Sequence, residues 1–133
     1  MPEIRCLVRL SVHGGPTWTI DEVARVDAYD VIDVTIEPGQ TDREVMLQPG
    51  GAVQVALLVI QSSLYGSEIV FKASDGAEDG ADVMLLGPQM FGNGNVRLLG
   101  VAPRVLKISN RHPASDANKK ARVQILVGRD AIP

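Results

Sequence analysis

The segment Val53–Gln61 constrains the fold of this chain most strongly, because apolar residues occupy both of its alternating faces. A strand with one face in water alternates apolar and polar residues, whereas a strand covered on both faces does not. The two faces would carry, respectively, Val53, Val55, Leu57 and Val59, and Ala56, Leu58 and Ile60. We expect a central strand whose first face lies in the core. The second face, with Ala56, Leu58 and Ile60, is a candidate interface with another subunit.

Short runs of β-branched and aliphatic residues recur along the chain, separated by turns rich in glycine and proline. This pattern is typical of antiparallel sandwiches and barrels. We predict an all-β, jelly-roll-like antiparallel sandwich of about eight or nine short strands, formed by residues 1–133 as a single domain. At most one short helix is expected, over Asp21–Val26, with Asp21 as its N-cap.

Charge and terminal sequence argue against several classes of partner. The formal net charge of -3 does not favour a nucleic-acid-binding face. Residues 1–5 lack the basic start and apolar run of a signal peptide, and the run at 53–60 is too short to cross a membrane as a helix. We therefore expect a protein made in the cytoplasm, not secreted by a signal peptide, with no nucleic-acid or membrane partner.

No convincing catalytic constellation is present in the sequence. The lone Cys6 lies in the alternating segment 3–12 and is interpreted as a small core residue. His13 and His112 fall in separate predicted loops, and zinc would need further ligands. Gly92–Asn95 predicts a hairpin turn rather than a phosphate-binding loop, because no lysine follows it. We predict no enzymatic activity and no cofactor, with a small metal-free barrel enzyme as a third hypothesis.

Two features leave alternatives open. The loop from Asp75 to Asp82 carries four carboxylates, those of Asp75, Glu78, Asp79 and Asp82. Calcium prefers such oxygen-rich loops, although the spacing differs from that of the EF-hand loop, and a solvated acidic loop is the favoured interpretation. The only tryptophan, Trp18, either packs at the rim of the core or contacts a partner, and we include it among the interface candidates.

The closing segment Ala121–Ala131 resembles the final strands of small β-sandwich accessory proteins of tailed-phage virions. The whole chain is similar to them in being short, aliphatic and rich in turns, with only 4% aromatic residues. The resemblance implies a head-decorating (cement) or other structural virion protein. Such a protein is often trimeric, binds the assembled shell and lies on the virion surface. It transfers no functional residue to this chain.

The first functional hypothesis is a structural protein that self-associates, with a trimer favoured, and binds a capsid or other particle protein. Leu7, Val70, Leu99 and Leu126 are predicted to face outward, and a monomer would then expose a large apolar patch. The alternative is a carbohydrate- or calcium-binding β-sandwich module that uses the loops around Trp18 and Asp75–Asp82.

Overall fold

The computed structural model describes residues 2–47, 53–92 and 95–131. A 3₁₀ helix spans Asn95–Leu99, and the residues at the centre of the predicted Gly92–Asn95 turn, 93 and 94, lie outside the described ranges. The described residues form ten strands: β1 (Glu3–Ser11), β2 (Thr17–Arg25), β3 (Ala28–Ile36), β4 (Arg43–Met46), β5 (Val53–Ser62), β6 (Ile69–Ser74), β7 (Val83–Met84), β8 (Gln89–Gly92), β9 (Val105–Asn110) and β10 (Ala121–Ala131).

Eight of these strands form two four-stranded antiparallel sheets. The first sheet has the order β3-β10-β5-β8, and the second has the order β4-β9-β6-β7. The pairing is nested, since β3 pairs with β10, β4 with β9, β5 with β8, and β6 with β7. This is the strand order of a jelly roll, in which one long hairpin is wound into two facing sheets. The predicted all-β antiparallel sandwich is therefore confirmed.

The core between the two sheets is aliphatic, as the composition indicates. In β10 the alternate residues Val123, Ile125 and Val127 are fully buried, while the residues between them face outward. Phe71 from the second sheet and Phe91 from the first meet edge to face, with ring centroids 6.4 Å apart. Val70 and Leu99 were predicted to face outward and to contribute to an exposed apolar patch. This is wrong, because both side chains are buried.

Strand β5 is central to the first sheet, as predicted. From Leu57 to Ile60 its two faces are the reverse of the expected ones, whereas Val55, before the bulge, lies in the core as expected. Leu58 and Ile60 are both 0% exposed and lie in the core between the sheets. Leu57 pairs with Gly128 and Val55 with Arg129, so Ala56 is the extra residue of a β-bulge. The predicted subunit interface at Leu58 and Ile60 is therefore wrong, because these side chains are enclosed within one chain.

The helix predicted over Asp21–Val26 is also wrong. Strand β2 covers most of this segment and pairs with β1 residue by residue, from Glu3 opposite Arg25 to Ser11 opposite Thr17. The Asp21 carboxylate, expected to cap a helix, instead accepts two hydrogen bonds from the Arg5 guanidinium at 3.0 and 2.6 Å. A full ladder with β1 satisfies more backbone groups than so short a helix can, which explains the outcome.

The β1–β2 hairpin is a separate two-stranded sheet whose base lies on the outer face of the first sheet. Gly128 of β10 permits this close approach. A Cβ atom there would lie 2.8 Å from Val26 Cγ1 and 3.3 Å from Ile4 Cδ1. Further along, Cys6 lines a cavity of about 90 Å³ together with residues of β5 and β8, among them Leu57. The base of the hairpin thus crosses from β10 to the edge strand β8.

Candidate functional site

The distal half of the hairpin stands clear of the sandwich, and we call residues 8–20 the arm. Every residue from Arg9 to Val23 is exposed. The connecting turn is ordered by two backbone bonds, from Val12 N to Pro16 O at 3.0 Å and from Gly15 N to Val12 O at 2.8 Å. At about 3.3 Å per residue, the arm extends about 13 Å from Val8 to Val12. The arm is therefore an extended element with solvent on both sides.

The arm has one apolar face and one largely polar face. On the apolar face, Val8 lies opposite Ile20 and Leu10 lies opposite Trp18. Trp18 is 64% exposed and Leu10 is 52% exposed, with Val12 next to them at the tip. Trp18 therefore does not pack at the rim of the core, and its role as a contact residue stays a prediction. An isolated hairpin is only marginally stable in water, and exposed apolar patches on proteins commonly mark interaction sites. An apolar face on such a hairpin is therefore a candidate contact surface.

A second exposed apolar surface crosses the outer face of the first sheet. Its members lie in register, one from each strand, and we call Val31, Leu126, Val59 and Met90 the apolar row. Val31 is 68% exposed, and a shallow groove of about 220 Å³ runs beside Val31, Val59 and Leu126. Three strand spacings of about 4.8 Å give the row a length of about 14 Å.

The apolar row lies between the base of the hairpin and a polar strip. On the polar side, Gln61 Nε2 donates to Gln124 Oε1 at 3.0 Å. Next to this pair, Arg122 donates hydrogen bonds to both carboxylate oxygens of Asp33, the shortest at 2.6 Å. These bonds lower the pKa of Asp33 and raise that of Arg122. Charges beside the row are thus paired with each other, and the row itself is neutral.

Of the four predicted interface residues, the structure places Trp18 on the exposed arm, Ala56 half-buried at the bulge, and Leu58 and Ile60 in the core. It does not bring them together. Sequence reasoning missed the other members of the arm's apolar face and the whole apolar row. One signal was available, because residues 17–20 alternate polar and apolar, as do residues 3–12, across the His13–Pro16 turn.

The acidic loop does not gather its carboxylates around a common point. Asp75 accepts hydrogen bonds from the backbone N–H groups of Ala77 at 2.8 Å and Glu78 at 2.6 Å, which lower its pKa. Asp79 forms ion pairs with Lys107 and Lys72, and Asp82 forms one with Arg111 at 3.2 Å.

Among the described residues, no group of three or more His, Cys, Asp or Glu side chains is placed to hold a metal ion. The geometry therefore gives no support to a cation site at Asp75, Glu78, Asp79 and Asp82.

The candidate nucleophile and bases lie in three separate surroundings. Cys6 is half-buried at the base of the hairpin, against β5 and β8, rather than in the core between the sheets. His13 is exposed in the turn at the tip of the arm. His112 Nε2 lies 4.0 Å from a carboxylate oxygen of Glu68 on the sandwich. These positions assemble no common reaction centre.

In comparisons with known proteins, no family model, no curated protein and no solved structure matches this chain. None of the helical residues that the structure describes belongs to a helix long and apolar enough to span a bilayer. Function therefore has to be inferred from the jelly roll, the arm and the apolar row.

Proposed function

We propose that this protein is a non-enzymatic structural component that self-associates and binds a larger particle, as a decoration (cement) protein of a phage or virus-like capsid does. The observation that carries the proposal is the apolar face of the arm, which is exposed although every residue of β1 is paired with β2. Full burial of a single leucine or isoleucine side chain contributes about 1.5–3 kcal/mol. Burial of several such side chains of the arm against a partner would therefore strongly favour association.

The particle part of the proposal is supported by fold and by resemblance. Jelly rolls are found in viral capsid domains, although fold alone does not define function. The segment that resembles phage accessory proteins, Ala121–Ala131, forms β10 inside the first sheet. In this proposal the protein is made in the cytoplasm, forms a homo-oligomer with a trimer favoured, and lies on the surface of the assembled shell. It needs no cofactor, nucleic acid or membrane.

The oligomeric state in solution tests self-association directly. Size-exclusion chromatography with light scattering, over a micromolar concentration series, is expected to give a multiple of the chain mass of 14.2 kDa. Three times that mass is expected for a trimer. A single species at the chain mass across the whole series would contradict the proposal.

A second candidate function is carbohydrate binding, because exposed aromatic rings can stack on sugars and Trp18 is 64% exposed. Lectin domains share the jelly-roll architecture. Titration calorimetry against a glycan panel, with and without calcium, tests this alternative. Saturable binding that disappears in Trp18→Ala, in a protein that remains a monomer, would favour the binding module over the structural protein.

A further inference from the structure

We infer that the arm of one copy packs, through its apolar face, on the apolar row of a neighbouring copy. The inference rests on the self-association proposed above and names the two surfaces that meet. Each copy would give one arm and receive another. The partner is a second copy of this chain, because the chain carries both halves of the contact.

The two surfaces match in length and in chemistry. The arm extends about 13 Å from Val8 to Val12, and the apolar row is about 14 Å long. The apolar face of the arm consists of Val8, Leu10, Trp18 and Ile20, and the row of Val31, Leu126, Val59 and Met90. Neither set contains an ionisable side chain; the nearest charge on this face of the hairpin is that of Glu22, opposite Cys6 at the base.

The arm cannot reach the apolar row of its own chain. Contacts with Gly128 and Leu57 fix the base of the hairpin across β10, β5 and the edge strand β8. Beyond β8 every residue of the arm from Arg9 onward is exposed, so the arm leads away from the sheet. The row remains behind, on the same outer face and beside the base, and only its Met90 end lines the cavity next to Cys6. The arm and the part of the row formed by Val31, Leu126 and Val59 thus lie apart in one chain, and one copy can cover the row of another.

The base of the hairpin already shows how the contact is made. Ile4 and Cys6 belong to the same face of the hairpin as Val8 and Leu10, since they alternate along β1. That face lies over Gly128, Leu57 and Gly92, which with Tyr29 form one line of residues across the sheet. The apolar row is the next line along the strands, two residues away. An arm from another copy would therefore repeat, on the adjacent line, the packing that the base makes within its own chain.

The contact joins two different surfaces, so two copies can exchange arms across a two-fold axis, or each copy can pass its arm to the next in a heterologous arrangement. Heterologous contacts build closed rings when the rotation between copies closes, and open chains when it does not. A ring in which every arm is received by the next copy leaves no arm exposed. A trimer is the smallest ring in which each copy gives its arm to one neighbour and receives the arm of a different neighbour.

Charge substitutions on either surface test the inference. Leu10→Glu on the arm and Val31→Glu on the row should each weaken association by at least about a hundredfold, because the new carboxylate must be desolvated at the contact. Leu7→Glu is the matched control. Leu7 lies on the opposite face of the same hairpin and is 62% exposed, so the oligomer should persist. All three positions are exposed, and circular dichroism should show the β fold in each variant.

Mixing the two defective variants tests which surfaces meet. Leu10→Glu keeps an intact row and Val31→Glu keeps an intact arm, so an equimolar mixture should form a complex of two chains. Trp18, the only tryptophan, reports burial of the arm. Its emission should shift to the red in Val31→Glu and return toward the wild-type wavelength on mixing, although Val31 belongs to a different surface.

Three outcomes would overturn the inference. If Leu10→Glu dissociates while Val31→Glu stays assembled, the arm binds something other than the row. If both variants keep the wild-type mass, association uses another surface, and the proposed self-association stands without this contact. If the wild-type protein is itself a monomer, both the inference and the proposed function fail.

Discussion

Two lysines face each other on the outer surface of the second sheet. Lys72 of β6 is directly paired with Lys107 of β9, an arrangement in which like charges repel. Asp79 from the acidic loop compensates, with carboxylate oxygens 3.1 Å from Lys107 Nζ and 3.6 Å from Lys72 Nζ. The hydrogen bond from Lys107 lowers the pKa of Asp79, and the pKa of Lys107 is raised in return. The loop thus contributes a counter-ion to the sheet.

Asp79→Asn should lower the free energy of unfolding at neutral pH and reduce its dependence on pH. The folded pKa of Asp79 is below its ordinary value of 3.8, so the carboxylate stabilises the fold above about that pH. This contribution is lost as the pH falls through the folded pKa. Urea unfolding of both proteins from neutral pH to below 3.8 checks it, and their difference should shrink on acidification.

Asp82→Asn is the matched control for this residue. Asp82 pairs with Arg111 between two exposed side chains and does not face the lysine pair. Its replacement should change stability less than that of Asp79. An equal effect at both positions would mean that general loop charge, and not the bridge between the lysines, stabilises the sheet.

Asn110 shows what sequence cannot indicate at the scale of single residues. It has polar residues on both sides in the sequence, yet it is the last residue of β9 and only 1% exposed. Its Nδ2 donates to Ile36 O at 3.1 Å and to Lys119 O at 2.7 Å. A polar residue among polar neighbours gives no signal of burial, because its partners are backbone groups brought together only by the fold.

At the scale of elements, sequence patterns predicted strands well where one face was apolar, as in β1, β3 and β10. They failed where tertiary pairing decided the outcome. Residues 21–25 are a strand because β1 lies beside them, and the chain after the predicted Gly92–Asn95 turn forms the 3₁₀ helix Asn95–Leu99. Strand β8 was not predicted, since Gly87 and Pro88 suggested only a break. Local propensity cannot include a partner that is distant in sequence.

The hairpin as an element depends on its close approach at Gly128. Gly128→Ala should cost about 1–3 kcal/mol, because the added Cβ would meet Val26 Cγ1 at 2.8 Å and displace the base. Limited proteolysis with trypsin should then cleave faster at Arg25, next to that contact. Gly87→Ala is the control, since an added Cβ at Gly87 meets nothing within 4 Å. Equal protection of both variants would show that the base does not depend on this contact.

For the whole molecule, the sandwich was predictable because alternation along many short segments leaves few alternatives to two facing sheets. The direction in which β5 faces was not predictable, because both of its faces are apolar and the bulge at Ala56 changes their register. The arm and the apolar row were not predicted as surfaces, since one arises from a hairpin clear of the core and the other from four strands distant in sequence. The arm and the apolar row therefore arise from the pairing of β-strands rather than from the local composition of any one segment.

Neighbouring residues of β5 offer a test of the whole architecture. Leu58→Glu should abolish folding, because a carboxylate enclosed between the sheets costs several kcal/mol, against a typical total stability of about 5–15 kcal/mol. Val59→Glu, one position along, should keep the β fold, because Val59 faces outward on the apolar row. Circular dichroism and thermal unfolding compare the two variants. A folded Leu58→Glu protein would contradict the assignment of the core.

The nested pairing of the strands sets an order of events during synthesis. The first sheet joins β3 to β10, and the ion pair between Asp33 and Arg122 links residues 89 positions apart. Contacts so distant in sequence form slowly, and this sheet cannot close until β10 has left the ribosome. The β1–β2 hairpin is local and can form at once. An emerging chain therefore contains the residues of the arm long before it can form the row, and nascent copies cannot polymerise through this contact before they have folded.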